Sequence, residues 1–477
     1  MHGGTTIDTP AMDGETDRGG GFVRIASVAA LGGFLFGYDS AVINGANSAI
    51  QSTFGAGPLE LGFTVAAALL GAAGGAFLAG RLADRIGRLS VMKLAAVLFF
   101  VSAVGSAFTP NLDLLIFFRL VGGVGVGVAS VIAPAYIAEI APARIRGRLG
   151  SLQQLAIVTG IFISLLVDFL FAKAAGSSTA PLWFGVDAWR WMFLAMVVPA
   201  VVYGALMLTI PESPRYLIAR GRVAQAREIL TGLLGARGVD GTVERIQASM
   251  AGERKPSWRD LLVPGTGRIA PIVWVGLLLS IFQQFVGINV IFYYSNILWE
   301  AVGFSENQSF VITAVINIAT TIVAIALIDR IGRKPLLVIG SIGMTVSLAL
   351  MALIFGTAPS VAGTPDLHSA LLGGASPIVA LVAANLFVIA FGMSWGPVVW
   401  VLLGEMFPNR MRAAGLALAA GGQWVANWII TVTFPGLKDL SLGLAYGMYA
   451  TFALLSLIFV IRWVKETKGK QLEDMHA

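Results

Sequence analysis

The stretch Gly32-Gly-Phe-Leu-Phe-Gly-Tyr-Asp-Ser-Ala-Val-Ile-Asn-Gly45 lies in the first membrane-length apolar run of the chain and carries one carboxylate, Asp39. An aspartate near the middle of a span costs about 2.5–3.5 kcal/mol on insertion scales, so it is kept there for work. A helix end would excuse it, but Ala41, Val42 and Ile43 carry the apolar run past it. That reading requires a membrane, and the composition supplies one. Of 477 residues, 57% are hydrophobic and 12% charged, with a mean hydropathy of +0.82. Soluble domains run at about 45–50% and about 25%. The apolar blocks, about 20 residues long and without strict alternation, are spanning helices and not barrel strands. The chain has no cysteine, which excludes disulfides, thiol catalysis and thiolate metal sites. His2, His368 and His476 fall in tails or a loop, so no buried metal cluster is expected.

Outward from Asp39, the pattern gives an all-α membrane protein of about twelve spans. The first six lie near 22–50, 62–82, 91–109, 112–138, 151–171 and 190–210. The second six lie near 270–299, 308–328, 336–356, 376–404, 412–434 and 441–463. The expected organisation is a disordered tail at 1–21, a six-helix bundle at 22–210, a helical linker at 211–268, a second bundle at 269–464 and a short tail at 465–477. In the linker, Val223, Ala226, Ile229, Leu230 and Leu233 have the spacing of an amphipathic helix.

Lysine and arginine fall in alternate loops: Arg81–Arg88, Arg144–Arg148, 212–268, Arg330–Lys334, Arg410–Arg412 and the tail from Arg462. By the positive-inside rule, both termini and the linker are cytoplasmic. The net charge of +6 is therefore a topology signal. Split among short loops, it is no nucleic-acid patch.

The two halves repeat. Asp84-Arg-Ile-Gly-Arg88 returns as Asp329-Arg-Ile-Gly-Arg333, and Glu139, Arg144 and Arg146 return at the same spacing as Glu405, Arg410 and Arg412. Exposed pairs contribute only about 0–1 kcal/mol each, so these could simply be solvated loop charges. Fixed spacing in both halves favours a gate instead, with Arg85 and Arg330 beside it. Repeated halves are how transporters build a midplane site that faces each side in turn.

Arg119 sits in Phe117-Phe-Arg-Leu-Val-Gly-Gly-Val-Gly-Val-Gly127. Gly123 and Gly127 follow at i+4 and i+8, on a face made for helix packing. The glycines are no dinucleotide fingerprint, which needs a strand and a βα turn. At 1.5 Å per residue, Arg119 lies roughly 12 Å from the outer end of its span. Asp39 lies roughly 25 Å from the inner end of its own, which puts both in the outer half. They are natural partners: an ionised Asp39 pairs with Arg119, and a proton on Asp39 frees it. The competing reading is a static structural pair.

A third set is uncharged. Gln283, Gln284 and Asn289 interrupt the apolar seventh span, and a helix break near Gly287 would turn Gln284 and Asn289 to one cavity. Gln154, Asn317, Trp395, Gln423, Trp424 and Asn427 add amides and aromatic faces. Amides donate and accept at once, as a polyhydroxyl ligand requires. Aromatic faces suit the C–H face of a pyranose. No unpaired charge in this set would serve a charged substrate.

These motifs together resemble the sugar porter family of the major facilitator superfamily. The resemblance rests on Phe36-Gly-Tyr-Asp39, Gly80 to Arg88, Pro211-Glu-Ser-Pro-Arg215, Gln283-Gln-Phe-Val-Gly-Ile-Asn289 and Ser394-Trp-Gly-Pro397, and runs from about Gly32 to Gly469. It implies two six-helix bundles, rocker-type alternating access, Asp39 as proton acceptor and Arg119 as its partner. Sugar ligands are implied at Gln154, Gln283, Gln284, Asn289, Asn317, Trp395 and Gln423. Weaker or state-dependent contacts are implied at Phe36, Tyr293, Trp400, Trp424 and Asn427. Glu212, Arg215 and Glu466 match its cytoplasmic charge contacts. Lys465 stands where the family carries proline, which puts a sharp end to the last helix in question.

The expected function is import of a neutral monosaccharide, such as glucose, with a proton as coupling ion and no other cofactor. Family uniporters generally carry a neutral residue at the Asp39 position, so symport is favoured over a uniporter of the same fold. A sugar-sensing receptor would usually add a long cytoplasmic domain, and the tail after Arg462 is short. No nucleophile–base set or metal cluster marks an enzyme. The expected setting is a bacterial inner membrane, with the sugar and the lipid bilayer as partners and a monomer as the working unit.

Overall fold

In a computed structural model, residues 19–141, 146–235, 239–251, 258–263, 265–291, 294, 315–316, 318–320, 322–323, 327, 330–361, 364–408 and 411–467 are described. The chain is an all-α membrane protein. Its N-terminal half holds α1 (Gly19–Ala41), α2 (Ile43–Phe54), α3 (Pro58–Ile86), α4 (Arg88–Ala107), α5 (Leu112–Ile140), α6 (Arg146–Ala175), α7 (Ala188–Ala195) and α8 (Val197–Leu206). The intervening segment forms α9 (Pro214–Ala219), α10 (Val223–Leu234) and α11 (Val239–Ala251). The second half holds α12 (Pro271–Phe285), α13 (Arg333–Thr357), α14 (Ser376–Gly392), α15 (Trp395–Met406), α16 (Arg412–Leu440) and α17 (Leu442–Trp463). Two short hairpins, Pro181–Trp183 with Val186–Asp187 and Ser360–Val361 with Thr364–Pro365, decorate loops.

Ten described helices are long and apolar enough to cross a membrane. The 29-residue α16 is a further long helix at the expected eleventh span. The expected span at 308–328 lies mostly outside the described residues. The first span is divided into α1 and α2 at Val42, which keeps helical dihedrals (φ −56°, ψ −30°) and donates its N–H to the Tyr38 carbonyl at 2.9 Å.

Local chemistry sets the ends. Pro58 opens α3, and the Gly57 N–H donates to the Glu60 carboxylate at 2.9 Å. The Asn111 side chain accepts from the Leu114 N–H at 2.9 Å to start α5. Gly87 (φ +97°) and Gly332 (φ +104°) make equivalent turns before α4 and α13, in the region open to glycine.

Small residues set the packing. Gly71 and Gly75 of α3 lie against the Leu120 and Val124 carbonyls, and Gly123 and Gly127 of α5 lie against Ala68 and Ala72. Gly37 of α1 meets the Ile157 carbonyl, and Gly160 of α6 meets that of Phe34. In lipid there is little hydrophobic drive between helices, so close backbone approach supplies the attraction.

Away from the basic loops, α3 and α16 join the halves. A methyl group built on Gly62 would lie 2.5 Å from the Val432 carbonyl oxygen and 3.3 Å from Pro435 Cδ. At the basic end, α9–α11 bury Leu217, Ile218, Ala226, Leu230, Val239 and Val243 in a separate small core. The amphipathic helix expected there is α10, with Ala226 and Leu230 inward.

Candidate functional site

Asp39 is 1% and Arg119 2% exposed by side chain, with the Asp39 carboxylate 3.4 Å from the guanidinium. The shorter bond goes elsewhere: Arg119 Nη1 donates to the Asp39 main-chain carbonyl at 2.8 Å. In an unbroken helical ladder the Ile43 N–H would claim that carbonyl, and Ile43 is where α2 begins. The two carboxylate oxygens have no hydrogen-bond donor, and Arg119 Nε has no acceptor. The site is thus a charge pair anchored through backbone. Two neighbours that the sequence reading did not name complete it. A methyl group built on Gly122 would sit 2.9 Å from Asp39 Oδ1 and would collide with Ser102 Oγ. Only glycine lets α5 approach this closely.

The seventh span breaks as its sequence suggests. Helix α12 ends at Phe285, and Gly287 has φ +81° with Tyr449 packed where a Cβ would stand. The chain resumes as helix at Ile288, and Asn289 Nδ2 donates to Gln284 Oε1 at 2.6 Å. On an unbroken helix these residues stand about 140° apart. Gln284 Nε2 reaches Gln283 Oε1 at 3.4 Å, and Gln283 Nε2 donates to the Trp395 carbonyl at 2.8 Å and to that of Gly396 at 3.2 Å. The amides form one chain across the break to the start of α15.

The other candidates divide. Phe36 of α1 meets Trp424 of α16 with ring centroids 6.0 Å apart, bringing the halves together at one aromatic contact. Gln423 is part-buried with an unpartnered Oε1, and Asn427 accepts from Thr431 at 3.2 Å. Gln154 is part-buried on α6, and its neighbour Gln153 is buried with both amide atoms unpartnered. Such orphaned amides suit a polar ligand. Trp395 differs: it is fully buried, and its indole N–H donates to Ser341 Oγ at 2.9 Å and to the Leu337 carbonyl at 3.2 Å. Its polar atom is committed to α13, leaving only its ring for other contacts. Trp400 is 44% exposed on α15. Tyr293 and Asn317 lie outside the described residues.

The repeated charges form matched networks. Arg88 pairs with Glu139 at 3.1 Å and Arg333 with Glu405 at 2.8 Å. Glu212 accepts from the Arg88 and Leu89 N–H groups, and Glu466 from those of Arg333 and Lys334, at the free ends of α4 and α13. Ser213 donates its hydroxyl to Glu139, and Thr467 donates to Glu405 at 2.6 Å. These hydroxyls were not among the expected residues, although Glu212-Ser213 and Glu466-Thr467 repeat the same acid–hydroxyl pair. Asp84, 74% exposed, adds an i,i+4 contact to Arg88. The Arg85 carbonyl accepts from Tyr216, while Arg330 is exposed and Arg215 part-buried. Arg144, Asp329 and Arg410 lie outside the described residues, as do the side chains of Arg146 and Arg412. Helix α17 ends sharply without proline: Val464 is extended (φ −80°, ψ 126°) and the next residues are held by α13 and Glu405.

A family model for "Sugar (and other) transporter" matches residues 25–477. The chain belongs to this family. It is 56% identical to the glucose transport protein of Synechocystis sp. (strain ATCC 27184 / PCC 6803 / Kazusa), over 94% of this chain and 96% of that protein. Among solved structures, the inward open conformation of the xylose transporter XylE from E. coli superposes with a TM-score of 0.80 at 37% identity, covering 95% of this chain and 99% of that one. The proton:xylose symporter XylE bound to 6-bromo-6-deoxy-D-glucose superposes with a TM-score of 0.76 at 37% identity, covering 96% and 98%. In this sugar transporter the described Arg88–Glu139 and Arg333–Glu405 pairs each stay within one half, while Gly62 and Val432 close the opposite end.

Proposed function

We propose that the protein is a secondary active transporter that carries a neutral hexose, such as glucose, into a bacterial cell together with a proton. The observation that carries this reading is the Asp39–Arg119 pair, an ionisable couple buried in the span that also supplies Phe36. The likeness to a glucose transport protein favours a hexose, and the likeness to a proton:xylose symporter favours proton coupling. The basic loops favour cytoplasmic termini in the inner membrane, with the α3–α16 contact at the outer side. The bilayer is the solvent of the fold, and the monomer is the working unit.

The chemistry follows from the contacts. Gln154, Gln283, Gln284, Asn289 and Gln423, with Asn317 outside the described residues, offer donors and acceptors for sugar hydroxyls. Phe36, Trp424 and the Trp395 ring offer flat faces, with Tyr293 and Trp400 as outlying contacts. Protonation of Asp39 removes its charge, so Arg119 keeps its bond to the main-chain carbonyl and loses only the carboxylate. The charge difference falls where α1 meets α5, and the sugar spans α1 and the C-terminal half. A proton and a sugar thereby bias the same packing of the two halves. The networks around Arg88 and Arg333, with their Asp84, Glu139, Glu212, Glu405 and Glu466 acids, fix helix ends on the cytoplasmic side, and Asp329, outside the described residues, is the sequence counterpart of Asp84. Arg85, Arg215 and Arg330 belong to the same basic segments, as do Arg144, Arg146, Arg410 and Arg412 by sequence.

The test is uptake of labelled glucose and xylose by proteoliposomes with and without an inward proton gradient. Symport predicts accumulation above equilibrium only with the gradient. Equilibration that ignores the gradient identifies a uniporter.

A further inference from the structure

Among the described residues three aspartate, glutamate, lysine, arginine or histidine side chains are buried: Asp39, Arg119 and Asp168. The first two pair. Asp168, on α6, is 4% exposed, and neither carboxyl oxygen has a hydrogen-bond partner.

Its place is specific. The face of α6 toward the first span carries Gly160 against the Phe34 carbonyl, then Ser164, which donates to the Tyr38 carbonyl at 3.2 Å, then Asp168 one turn on. There it meets α2: a methyl group built on Gly45 would lie 2.6 Å from Asp168 Cβ and 2.9 Å from Oδ2. The Gly45 N–H approaches the carboxyl without completing a hydrogen bond. The junction of α1 and α2 at Val42 thus lies between two buried carboxyls, Asp39 before it facing α5 and Asp168 of α6 meeting α2 beyond it.

Among the described residues the surroundings supply no cation. On α1 the neighbour is Tyr38, whose hydroxyl donates to the Met192 carbonyl. Helix α2 carries no charged residue. On α5, Arg119 is engaged by Asp39. On α7, Arg190 donates to the Ala107 and Thr109 carbonyls at 2.9 and 2.8 Å, and Asp187 precedes that helix. The strand Pro181–Trp183 has no charge, and Lys173 of α6 is exposed. An ionised carboxylate without cation or donors is far costlier to bury than a neutral acid. Asp168 is seven residues from the end of α6, roughly 10 Å from the outer face in the proposed orientation.

We propose that Asp168 is a second proton-carrying group, protonated while α2 and α6 are packed together and exchanging its proton with outside water when they part. Hydronium supplies the proton and leaves water; on opening, the O–H bond breaks and the proton returns to the medium. External pH then sets how readily the outer end opens, separately from Asp39. This rests on the orientation and transport proposed above, but its spectroscopic test does not.

The test is infrared difference spectroscopy, in light and heavy water at neutral pH, on the full-length protein reconstituted in lipid. The Asp39→Asn variant is expected to keep a protonated-carboxyl C=O band, and adding Asp168→Asn is expected to remove it. Asp168→Glu should retain the band at a shifted frequency, which decides the matter even if the amide variant does not fold. In the Asp39→Asn background, sugar exchange, which needs no net proton movement, should speed up as external pH rises. Asp168→Asn should abolish that slope and not merely lower the rate. No carboxyl band attributable to Asp168, or an exchange slope that survives its replacement, would overturn the proposal. Loss of gradient-driven uptake in wild type would instead count against symport and leave the band untouched.

Discussion

Arg119 spends its shortest bond on the Asp39 main chain, so a proton on the carboxylate does not set the arginine free. It changes the charge facing a tethered guanidinium. The sequence made the pair legible through the cost of Asp39 and the matching depth of Arg119. The carbonyl bond was not legible, because nothing in an otherwise apolar run marks where α1 gives way to α2. Asp168 carried the same signal as Asp39, a lone acid in an apolar span, but no arginine at matching depth drew attention to it. At this scale Gly122 is the sharpest structural test. Gly122→Ala forces a methyl group against Asp39 Oδ1 and Ser102, an overpacking worth about 1–3 kcal/mol. Gradient-driven uptake should fall about tenfold or more, with protein still correctly inserted, when uptake is measured per mole of reconstituted transporter.

Among elements, the turns before α4 and α13 carry the repeat. Each has a positive-φ glycine, a carboxylate from a distant segment on the helix N-terminus, and an arginine–glutamate pair beside it. The sequence showed the repeat and the carboxylates. It did not show that Glu212 and Glu466 would cap helices while Glu139 and Glu405 took the arginines, since both roles need the same residue type. The break at Gly287 was legible because two amides on one apolar helix needed a shared side. That Trp395 would turn its N–H to Ser341 was not. Replacing Glu466 with Gln removes the charge at the α13 N-terminus and should cost about 0.5–2 kcal/mol. Glu212→Gln should act alike on α4, and both should lower the thermal midpoint of the detergent-purified protein. An unchanged midpoint would mean that water serves these N–H groups equally well.

For the whole molecule, the hydropathy pattern agrees with the ten described membrane-length helices, and the twofold motif repeat returns as the two matched arginine–glutamate networks. Which side stood closed could not be read, because neither hydropathy nor the motif repeat distinguishes one end of the bundle as the closed one. Here the seam between α3 and α16 is closed at Gly62, Val432 and Pro435. Gly62→Val should hold that seam apart and favour the opposite state. The chain has no cysteine, so a single Val65→Cys beside the seam can report the opening. Its reaction with an impermeant thiol reagent should quicken about tenfold or more when Gly62→Val is added. Unchanged labelling would show that the seam is not a gate.

The most direct test of the whole account compares wild type with Asp39→Asn in proteoliposomes bearing an inward proton gradient, using labelled glucose. Wild type should concentrate the sugar, and the variant should exchange it across the membrane yet never exceed equilibrium. Accumulation by Asp39→Asn at the wild-type level would contradict proton coupling through this residue.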